Sequence, residues 1–339
     1  PLNYDGETNP WYLGSRRVAK RTVDISLIFR EVWGDSAMMT RVRPVLMSQL
    51  GYADLTMTQR AKMMLEYYQN PARFDQAHAP NYYIYAAGGS SYYGPMDKSS
   101  VDAVFATISH VANDTPTLAQ ALKIEADHAL ALGVKRIAYE GGPSFDKVAS
   151  DNANSKKNLQ DAWGDPRMTQ AMLDQQALWD RTAGDLLVYF QLNGDYQWGF
   201  MQDVLTPVTP KMQAIQSISQ STRAASTLGL SIPATIPADN YTIFASWDNT
   251  TNLSNLYGWR PYSLLVNTAA KYKISLKASS SNANAQAEIL VDGVSLGTVN
   301  VPVGTRSLAI TTPRLNKGSH GLVIRNAAGA FKLENILVQ

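Results

Sequence analysis

Residues 1–220 alternate amphipathic segments of helical period with short apolar runs. The clearest helix begins after Asn9, which can cap it, and has Pro10 at its first position. It carries Val18, Ile25 and Val32 at helical spacing. Further helical patterns cover residues 58–68, 115–133, 165–184 and 207–219, and short apolar runs lie between the helices, at 42–49, 82–86, 136–140 and 186–192. Because strands that alternate with helices pair in parallel, we predict an α/β region with four parallel strands.

Residues 241–339 follow a different pattern, in which short alternating segments are separated by turn residues. About eight strand candidates occur there, at 241–246, 262–266, 272–277, 287–291, 295–299, 308–311, 321–324 and 331–338. Asp292–Gly293 is a two-residue hairpin signal. This density of strands predicts an antiparallel β-sandwich. Residues 221–240 are rich in Ser, Thr, Ala and Pro and are predicted to be a linker.

The number of strands in residues 1–220 leaves two interpretations open. A closed (β/α)8 barrel takes eight strands and about 250 residues, whereas this region predicts four strands, preceded by a helix. It is therefore either a small open sheet or the second half of a TIM barrel, with strands five to eight. Four parallel strands alone would leave two unpaired edges and an uncovered face. We therefore expect a complementary N-terminal polypeptide, on another chain or upstream of Pro1, to complete the barrel.

Composition argues against several classes of function. The formal net charge of +2, without a Lys/Arg block, argues against a nucleic-acid partner. No apolar run of about 18 residues is present, so no membrane span is predicted. Cysteine is absent and the four His residues lack metal-ligand spacing, so no metal or other cofactor is predicted. The 17 Tyr and 7 Trp, against 8 Phe, favour carbohydrate-facing surfaces.

The sharpest local feature is the segment 137–143, in which an apolar strand ends in Glu140 and two glycines follow. A carboxylate at the mouth of a barrel strand can act as a nucleophile at an anomeric carbon. Alternatively, Glu140 pairs with an arginine or caps a helix. Other polar side chains follow predicted strand ends, where α/β folds place their chemistry, at Gln49, Tyr85 and Asn193. The loop pair Tyr92–Tyr93 either faces a glycan or packs beneath the loop.

Several short motifs follow one another in residues 10–218, among them Glu31-Val32-Trp33-Gly34, Arg43-Pro44-Val45-Leu46, Tyr139-Glu140-Gly141-Gly142, Asp165-Pro166-Arg167-Met168, Leu186-Leu187-Val188-Tyr189-Phe190, Trp198-Gly199 and Pro210-Lys211. In this order they resemble the retaining glycoside hydrolases built on (β/α)8 barrels, and a bacterial subset described as cellulose-binding. The resemblance implies that Glu140 is the nucleophile at the end of the seventh strand. It further implies that Tyr85 lies beside Glu140 and that Trp198 forms a sugar-stacking floor. Gln49 and Tyr139 would complete the substrate site.

The general acid that the resemblance implies ends the fourth strand and has no counterpart in this sequence. Retaining hydrolysis needs two carboxyl groups about 5 to 5.5 Å apart. Either the complementary polypeptide supplies the acid, or the barrel is not catalytic. We expect a secreted or cell-surface, bacterial, glycan-acting protein that hydrolyses through Glu140. The alternative is a non-catalytic glycan-binding or structural filament protein on the same scaffold.

Three scaffold motifs mark the second region: Ala270-Lys271-Tyr272-Lys273-Ile274, Ile289-Leu290-Val291-Asp292-Gly293 and Lys317-Gly318-Ser319-His320-Gly321-Leu322. They resemble carbohydrate-binding modules of families 6 and 35, which implies a polysaccharide partner. The aromatic residues Trp247, Tyr257 and Trp259 either stack on sugar rings or plug the end of the sandwich.

Overall fold

A computed structural model describes residues 1–111, 117–146, 151–242, 252–254 and 258–339. Its α-helices are α1 (Pro10–Trp33), α2 (Ala53–Lys62), α3 (Pro80–Tyr83), α4 (Val101–Thr107), α5 (Leu118–Leu132), α6 (Ala153–Gly164), α7 (Arg167–Arg181) and α8 (Pro210–Gln220). A π-helix over Met63–Tyr68 continues α2, and 3-10 turns cover Asp35–Ala37 and Leu50–Tyr52. The strands of this half are β1 (Val45–Met47), β2 (Ala86–Gly88), β3 (Ser91–Tyr93), β4 (Lys135–Ala138), β5 (Gly141–Pro143) and β6 (Gly184–Leu187).

The helix ends follow from local capping. The side chain of Asn9 accepts a hydrogen bond from the Trp11 amide, and Pro10 occupies the first position of α1. Thr117 and Gln120 form a reciprocal capping box at the start of α5. The same helix ends at Gly133, whose φ of 65° lies in the left-handed region. These ends agree with the helices predicted from the sequence.

The central sheet has four strands in the order β1-β2-β4-β6, and every neighbouring pair is parallel. Strand order follows chain order without reversal, and β1 and β6 are the edges. Leu46 and Ala87 lie side by side on the face that the helices cover. On the opposite face Leu186 remains 52% exposed and Val188 42% exposed. The sheet therefore has the four parallel strands predicted from the sequence, with one apolar face partly open.

The second half contains β7 (Leu230–Ile232), β8 (Ala234–Pro237), β9 (Asn252–Leu253), β10 (Trp259–Val266), β11 (Lys273–Ser280), β12 (Ala285–Val291), β13 (Val294–Val301), β14 (Gly304–Thr311), β15 (Gly318–Ala328) and β16 (Phe331–Val338). They form two sheets, β13-β12-β15-β10-β7 and β14-β11-β16-β8, with β9 beside β16. Side chains such as Leu264, Ile289 and Leu276 from the two sheets share one buried core. The predicted β-sandwich, antiparallel except where β7 joins β10, is thus present.

Two details of the sandwich differ from the sequence prediction. The stretch 221–240, expected as a linker, contains β7 and β8, which pair with β10 and β16. Both are short edge strands next to prolines, and a Pro-rich edge strand has the composition of a linker. The expected strand 241–246 falls mostly outside the described residues, as do Trp247 and Tyr257.

The sandwich and the α/β region share an apolar cluster. Trp259, Leu290 and Val323 of the sandwich pack with Ala131 and Leu132 at the end of α5. The approach is close: a Cβ added at Gly133 would lie 1.7 Å from the carbonyl oxygen of Asp292. Residues of β10, β12 and β15 therefore pack directly against the α/β region.

Hydrogen bonds reinforce this junction. The indole nitrogen of Trp259 donates to Oε1 of Glu66 at 3.0 Å, and the Ser263 hydroxyl donates to Oδ1 of Asp127 at 2.6 Å. Trp259 is only 5% exposed. It therefore neither stacks on a sugar nor plugs the end of the sandwich, and instead holds the two regions together.

In the part of the chain that the structure describes, no helix combines the length and hydropathy needed to cross a lipid bilayer.

Candidate functional site

Glu140 lies where the parallel sheet places its chemistry, in the turn that follows β4 and precedes β5. Its side chain is half-buried, and its carbonyl oxygen accepts a hydrogen bond from the Ser91 amide at 2.7 Å. The Tyr92 phenol lies near the Glu140 carboxylate and is exposed to its negative charge. Burial, followed by this neighbouring negative charge, raises the pKa of Tyr92 well above its ordinary value. Tyr92 thus stays protonated and can donate to Glu140.

The glycine after Glu140 brings these two side chains together. β3 and β5 form a parallel ladder that pairs Ser91 with Gly141 and Tyr92 with Gly142. A Cβ added at Gly141 would lie 2.7 Å from the carbonyl oxygen of Ser91, a distance that no side chain permits. Glycine at this position therefore allows β5 to approach β3 and carries Glu140 to Tyr92.

Three aromatic rings form a row next to Glu140. The ring of Phe190 lies 6.4 Å from that of Tyr92 and 6.4 Å from that of Trp198, with an edge-to-face arrangement in the first contact. The Trp198 indole donates to the Ser144 hydroxyl at 3.0 Å, and Ser144 donates to Asp146 at 2.8 Å. These bonds fix the plane of Trp198. A row of fixed, half-buried rings is suited to the apolar face of a sugar.

Phe190 and Ser144 are absent from the site residues predicted from the sequence. Phe190 continues an apolar run after β6, and nothing in that run distinguishes a ring at the site from a ring in the core. Ser144 directly follows the Gly-Gly-Pro segment after Glu140. That position was the one sequence signal that could have placed Ser144 near the site. Both residues contact Trp198: Phe190 through its ring, and Ser144 by accepting a hydrogen bond from the indole.

Gln49, Tyr139 and Asn193 lie beyond the carboxyl ends of β1, β4 and β6, as the sequence predicts, and all three are exposed. Tyr139 neighbours Arg60, a buried guanidinium of α2. Burial lowers the pKa of Arg60 to about 10, while Tyr139 and Glu125 act in the opposite direction. This edge of the sheet therefore combines exposed polar side chains with a nearby cation.

The structure does not bring Tyr85 to Glu140. Strand β2 begins only at Ala86, because Pro80 starts the helical turn α3 through Tyr83. Tyr85 consequently lies at the amino end of the sheet, where its carbonyl accepts a hydrogen bond from the Lys135 amide. Its ring lies 4.8 Å from the Arg43 guanidinium and 5.2 Å from the Lys135 ammonium. The expectation that Tyr85 supports the Glu140 carboxylate is corrected, since Tyr92 is the residue that contacts it.

Tyr93 also departs from the expected position. It is 2% exposed and packs in the core between the sheet and helices α4 to α7. Side chains alternate along β3, so when Tyr92 faces the site Tyr93 must point into the core. Tyr93 therefore contributes packing and is not available to a glycan.

Lys211, in the first turn of α8, is fully buried near the rings of Phe145 and Phe200, at 5.8 and 5.7 Å. Its Nζ has no hydrogen-bond partner in the described part of the chain. Burial lowers the pKa of Lys211 to about 7, with Asp195 acting in the opposite direction. Since Phe200 follows Trp198 by two residues, Lys211 packs beneath the loop that carries the aromatic row.

Replacing Lys211 with Met should stabilise the protein at pH 7 by roughly 2 to 4 kcal/mol. The folded-state pKa lies below that of the unfolded chain, so the cost of burying Lys211 grows as pH falls from about 10.5 to about 7 and is constant below. The increase in the free energy of unfolding caused by Lys211→Met should therefore become smaller towards pH 10, as measured by urea unfolding. Lys157→Met, at an exposed position of α6, is the control. An equal increase in stability at pH 7 and pH 10 would show that it does not come from removing the buried charge of Lys211.

A separate cleft of about 410 Å³ opens at the opposite end of the sheet. It lies between α5, the amino ends of β4 and β6, and Ser319 of the sandwich. Its charged groups are paired: Arg223 with Asp180 at 2.7 Å and Lys135 with Asp185 at 3.2 Å. Within the described ranges, no three His, Asp or Glu side chains lie close enough together to hold a metal ion. The aromatic row beside Glu140 therefore remains the candidate site.

Comparisons with known proteins give similarities to solved structures. No family model matches the chain, and no curated protein matches it. Among solved structures, it is similar to the C-terminal family 6 carbohydrate-binding module of a laminarinase from Zobellia galactanivorans (15% identity, 31% of this chain and 98% of that one, TM-score 0.27). A family 6 module of Cellvibrio mixtus lichenase 5A, bound to cellotriose, gives 20% identity, 32% and 96% coverage, and a TM-score of 0.26.

A ruminal family 26 endo-β-1,4-mannanase is also similar, at 18% identity and a TM-score of 0.25, over 32% of this chain and 26% of that one. The chain therefore spans about a quarter of that enzyme's length. The sandwich architecture itself is established by the strand pairing described above.

Proposed function

We propose that this chain forms the nucleophile-bearing half of a retaining glycoside hydrolase-like barrel in a secreted or cell-surface bacterial protein. The observation that carries the proposal is the position of Glu140. It is half-buried at the carboxyl end of a central parallel strand and lies beside Tyr92, the first ring of the row Tyr92, Phe190 and Trp198. That combination provides a carboxylate for an anomeric carbon and a stacking surface for the sugar ring.

The proposed reaction uses Glu140 in two steps. Its carboxylate attacks the anomeric carbon and forms a glycosyl ester, while a second carboxylic acid protonates the departing oxygen. The conjugate base of that acid then takes a proton from water, and the water oxygen displaces Glu140. The Tyr92 phenol, which stays protonated beside Glu140, can donate a hydrogen bond that orients the carboxylate for the attack.

The second carboxylic acid is proposed to come from the complementary polypeptide that completes the barrel. The support is the state of the sheet: among the residues that the structure describes, β1 and β6 are edges without a partner strand, and Leu186 and Val188 are about half exposed on the open face. Exposed apolar faces and free strand edges are typical of surfaces that another polypeptide covers. Such a polypeptide would bring its own acid to face Glu140.

A second candidate function is glycan binding or structural assembly without hydrolysis. The free edges of β1 and β6 favour it, because an unpaired strand edge can pair with another chain as readily as with a missing half-barrel. Glycan binding with no bond cleavage, or growth of filaments, would distinguish this function from hydrolysis.

Replacing Trp198 with Ala should weaken binding to a soluble polysaccharide about fivefold, since a stacked ring contributes about 1 kcal/mol. The measurement is affinity electrophoresis of the chain through gels containing β-glucan or β-mannan. Trp11→Ala, at an exposed position of α1, is the matched control and should migrate as the wild type does. If each polysaccharide that binds the wild type retards Trp198→Ala equally, the aromatic row is not part of the sugar-binding site.

A further inference from the structure

The outward face of α1 is unusually apolar. Large apolar side chains are exposed on this face by between 37% and 78%, at Trp11, Val18, Ile25, Ile28 and Val32. Gly14 and Arg21 occupy the remaining positions of the same stripe. The spacing alternates between three and four residues along the helix, which is the period of a helix–helix contact. We call these seven positions the α1 seam.

The side of α1 that faces the protein is less apolar than the α1 seam. Its buried residues are Ser15, Arg16, Ala19, Val23 and Ser26. A helix whose outer face contacts only solvent shows the opposite pattern, with polar residues on the outer face and apolar residues on the inner face. The α1 seam is therefore an interface that this chain does not itself cover.

The neighbouring strand indicates what covers it. α1 leads into β1, and β1 is a free edge of the sheet. Strand–helix–strand connections are right-handed, and in this sheet each successive strand lies on the same side of the previous one. A strand added at the β1 edge would accordingly bring its own helix alongside α1. The periodicity of the seam and this topology both favour a helix as the occupant.

The charge in the middle of the seam argues against a second copy of this chain. Arg21 is exposed near the midpoint of α1. In a two-fold antiparallel pairing of α1 with itself, Arg21 would face Arg21, and like charges at a contact are unfavourable. A helix with a carboxylate at that level would instead form an ion pair.

We propose that the α1 seam docks an amphipathic helix of the complementary polypeptide, with an Asp or Glu opposite Arg21. The inference rests on the completing polypeptide of the proposed function and is independent of hydrolysis at Glu140. It specifies the partner's chemistry at this edge: apolar side chains at a spacing of three and four residues, and one carboxylate.

The test uses two designed helical peptides of 24 residues. Both carry Leu at the positions that face the seam, and they differ only in Glu or Lys opposite Arg21. Fluorescence anisotropy should show that the Glu peptide binds the chain at least tenfold more tightly than the Lys peptide. Arg21→Glu should reverse this preference, and Ile25→Asp should abolish binding of both peptides.

Val294→Asp, at an exposed position of β13, is the control and should bind as the wild type does. The proposal would be overturned if neither peptide binds or if both bind equally. It would also be overturned if light scattering shows that the chain forms a dimer that Ile25→Asp disrupts. Loss of hydrolysis in Glu140→Gln does not affect this experiment, so a failure of one proposal is distinguishable from a failure of the other.

Discussion

Replacing Glu140 with Gln should reduce hydrolysis of an activated aryl glycoside by at least about 1,000-fold, because the amide has the same shape but cannot attack the anomeric carbon. The assay uses the chain together with the proposed complementary polypeptide, which would supply the general acid. Glu334→Gln removes a surface carboxylate paired with Lys277 in the sandwich and should leave the rate unchanged. Circular dichroism of Glu140→Gln should match that of the wild type, since Glu140 is only half-buried.

Rescue by a small anion separates a nucleophile from a merely structural carboxylate. In Glu140→Ala, azide can enter the vacated space and attack the same carbon, so added azide should restore turnover and yield a glycosyl azide. A loss of activity without rescue would point to a structural role. Retained activity in Glu140→Gln would refute the assignment outright.

Replacing Arg136 with Met should lower the free energy of unfolding by about 3 to 5 kcal/mol, because it leaves the buried Glu125 carboxylate without its cation. Both side chains are 1% exposed, with Nη1 of Arg136 3.6 Å from Oε2 of Glu125. The Arg136 guanidinium also stacks 3.8 Å from the Trp179 ring and donates to the Thr182 carbonyl at 2.9 Å. Urea unfolding measures the loss, and Arg306→Met, at an exposed strand position, is the control.

The pH dependence of Arg136→Met provides a second readout. Burial raises the pKa of Glu125, and Arg136 is the largest influence that opposes this rise. Without Arg136, the folded-state pKa of Glu125 rises further above that of the unfolded chain, so stability is lost as pH increases. The difference from the wild type should thus be larger at pH 8 than at pH 5. The double variant Glu125→Met/Arg136→Met should recover part of the loss, and wild-type stability of Arg136→Met alone would contradict the account.

This ion pair matters to the site because Glu125 also holds the carboxyl ends of two strands. It accepts a hydrogen bond from the Ser48 hydroxyl at 3.0 Å, after β1, and its carboxylate lies against the backbone of Gly89, after β2. The pair therefore links α5 and β4 to the edge of the sheet where the candidate site lies.

The elements with strong local signals were predictable from the sequence. Asn9–Pro10 starts α1 and Gly133 ends α5, since capping and left-handed termination depend on the residues at those positions. The Asp292–Gly293 turn adopts the positive φ angles, 49° and 71°, that such a hairpin requires. The position of Glu140 at the end of a strand followed from the glycines after it.

Features that depend on tertiary contacts were not predictable. Residues 82–87 are all aromatic or apolar, so the sequence does not reveal that the strands occupy Ala86–Gly88 and Ser91–Tyr93. This uncertainty misplaced Tyr85 and left the role of Tyr93 open. Likewise, helical spacing of Val18, Ile25 and Val32 predicts a helix but not that this face points away from the protein. The bond from Trp259 to Glu66 joins residues from the two regions and has no local signal.

The native mass of the species that hydrolyses glycan tests the completed barrel most directly. Size-exclusion chromatography with light scattering, followed by an activity assay on each fraction, relates mass to turnover. We predict that hydrolysis appears only in material heavier than the 37.2 kDa of this chain, because the general acid is proposed to reside on the completing polypeptide. Full activity in a species of 37.2 kDa would contradict the account.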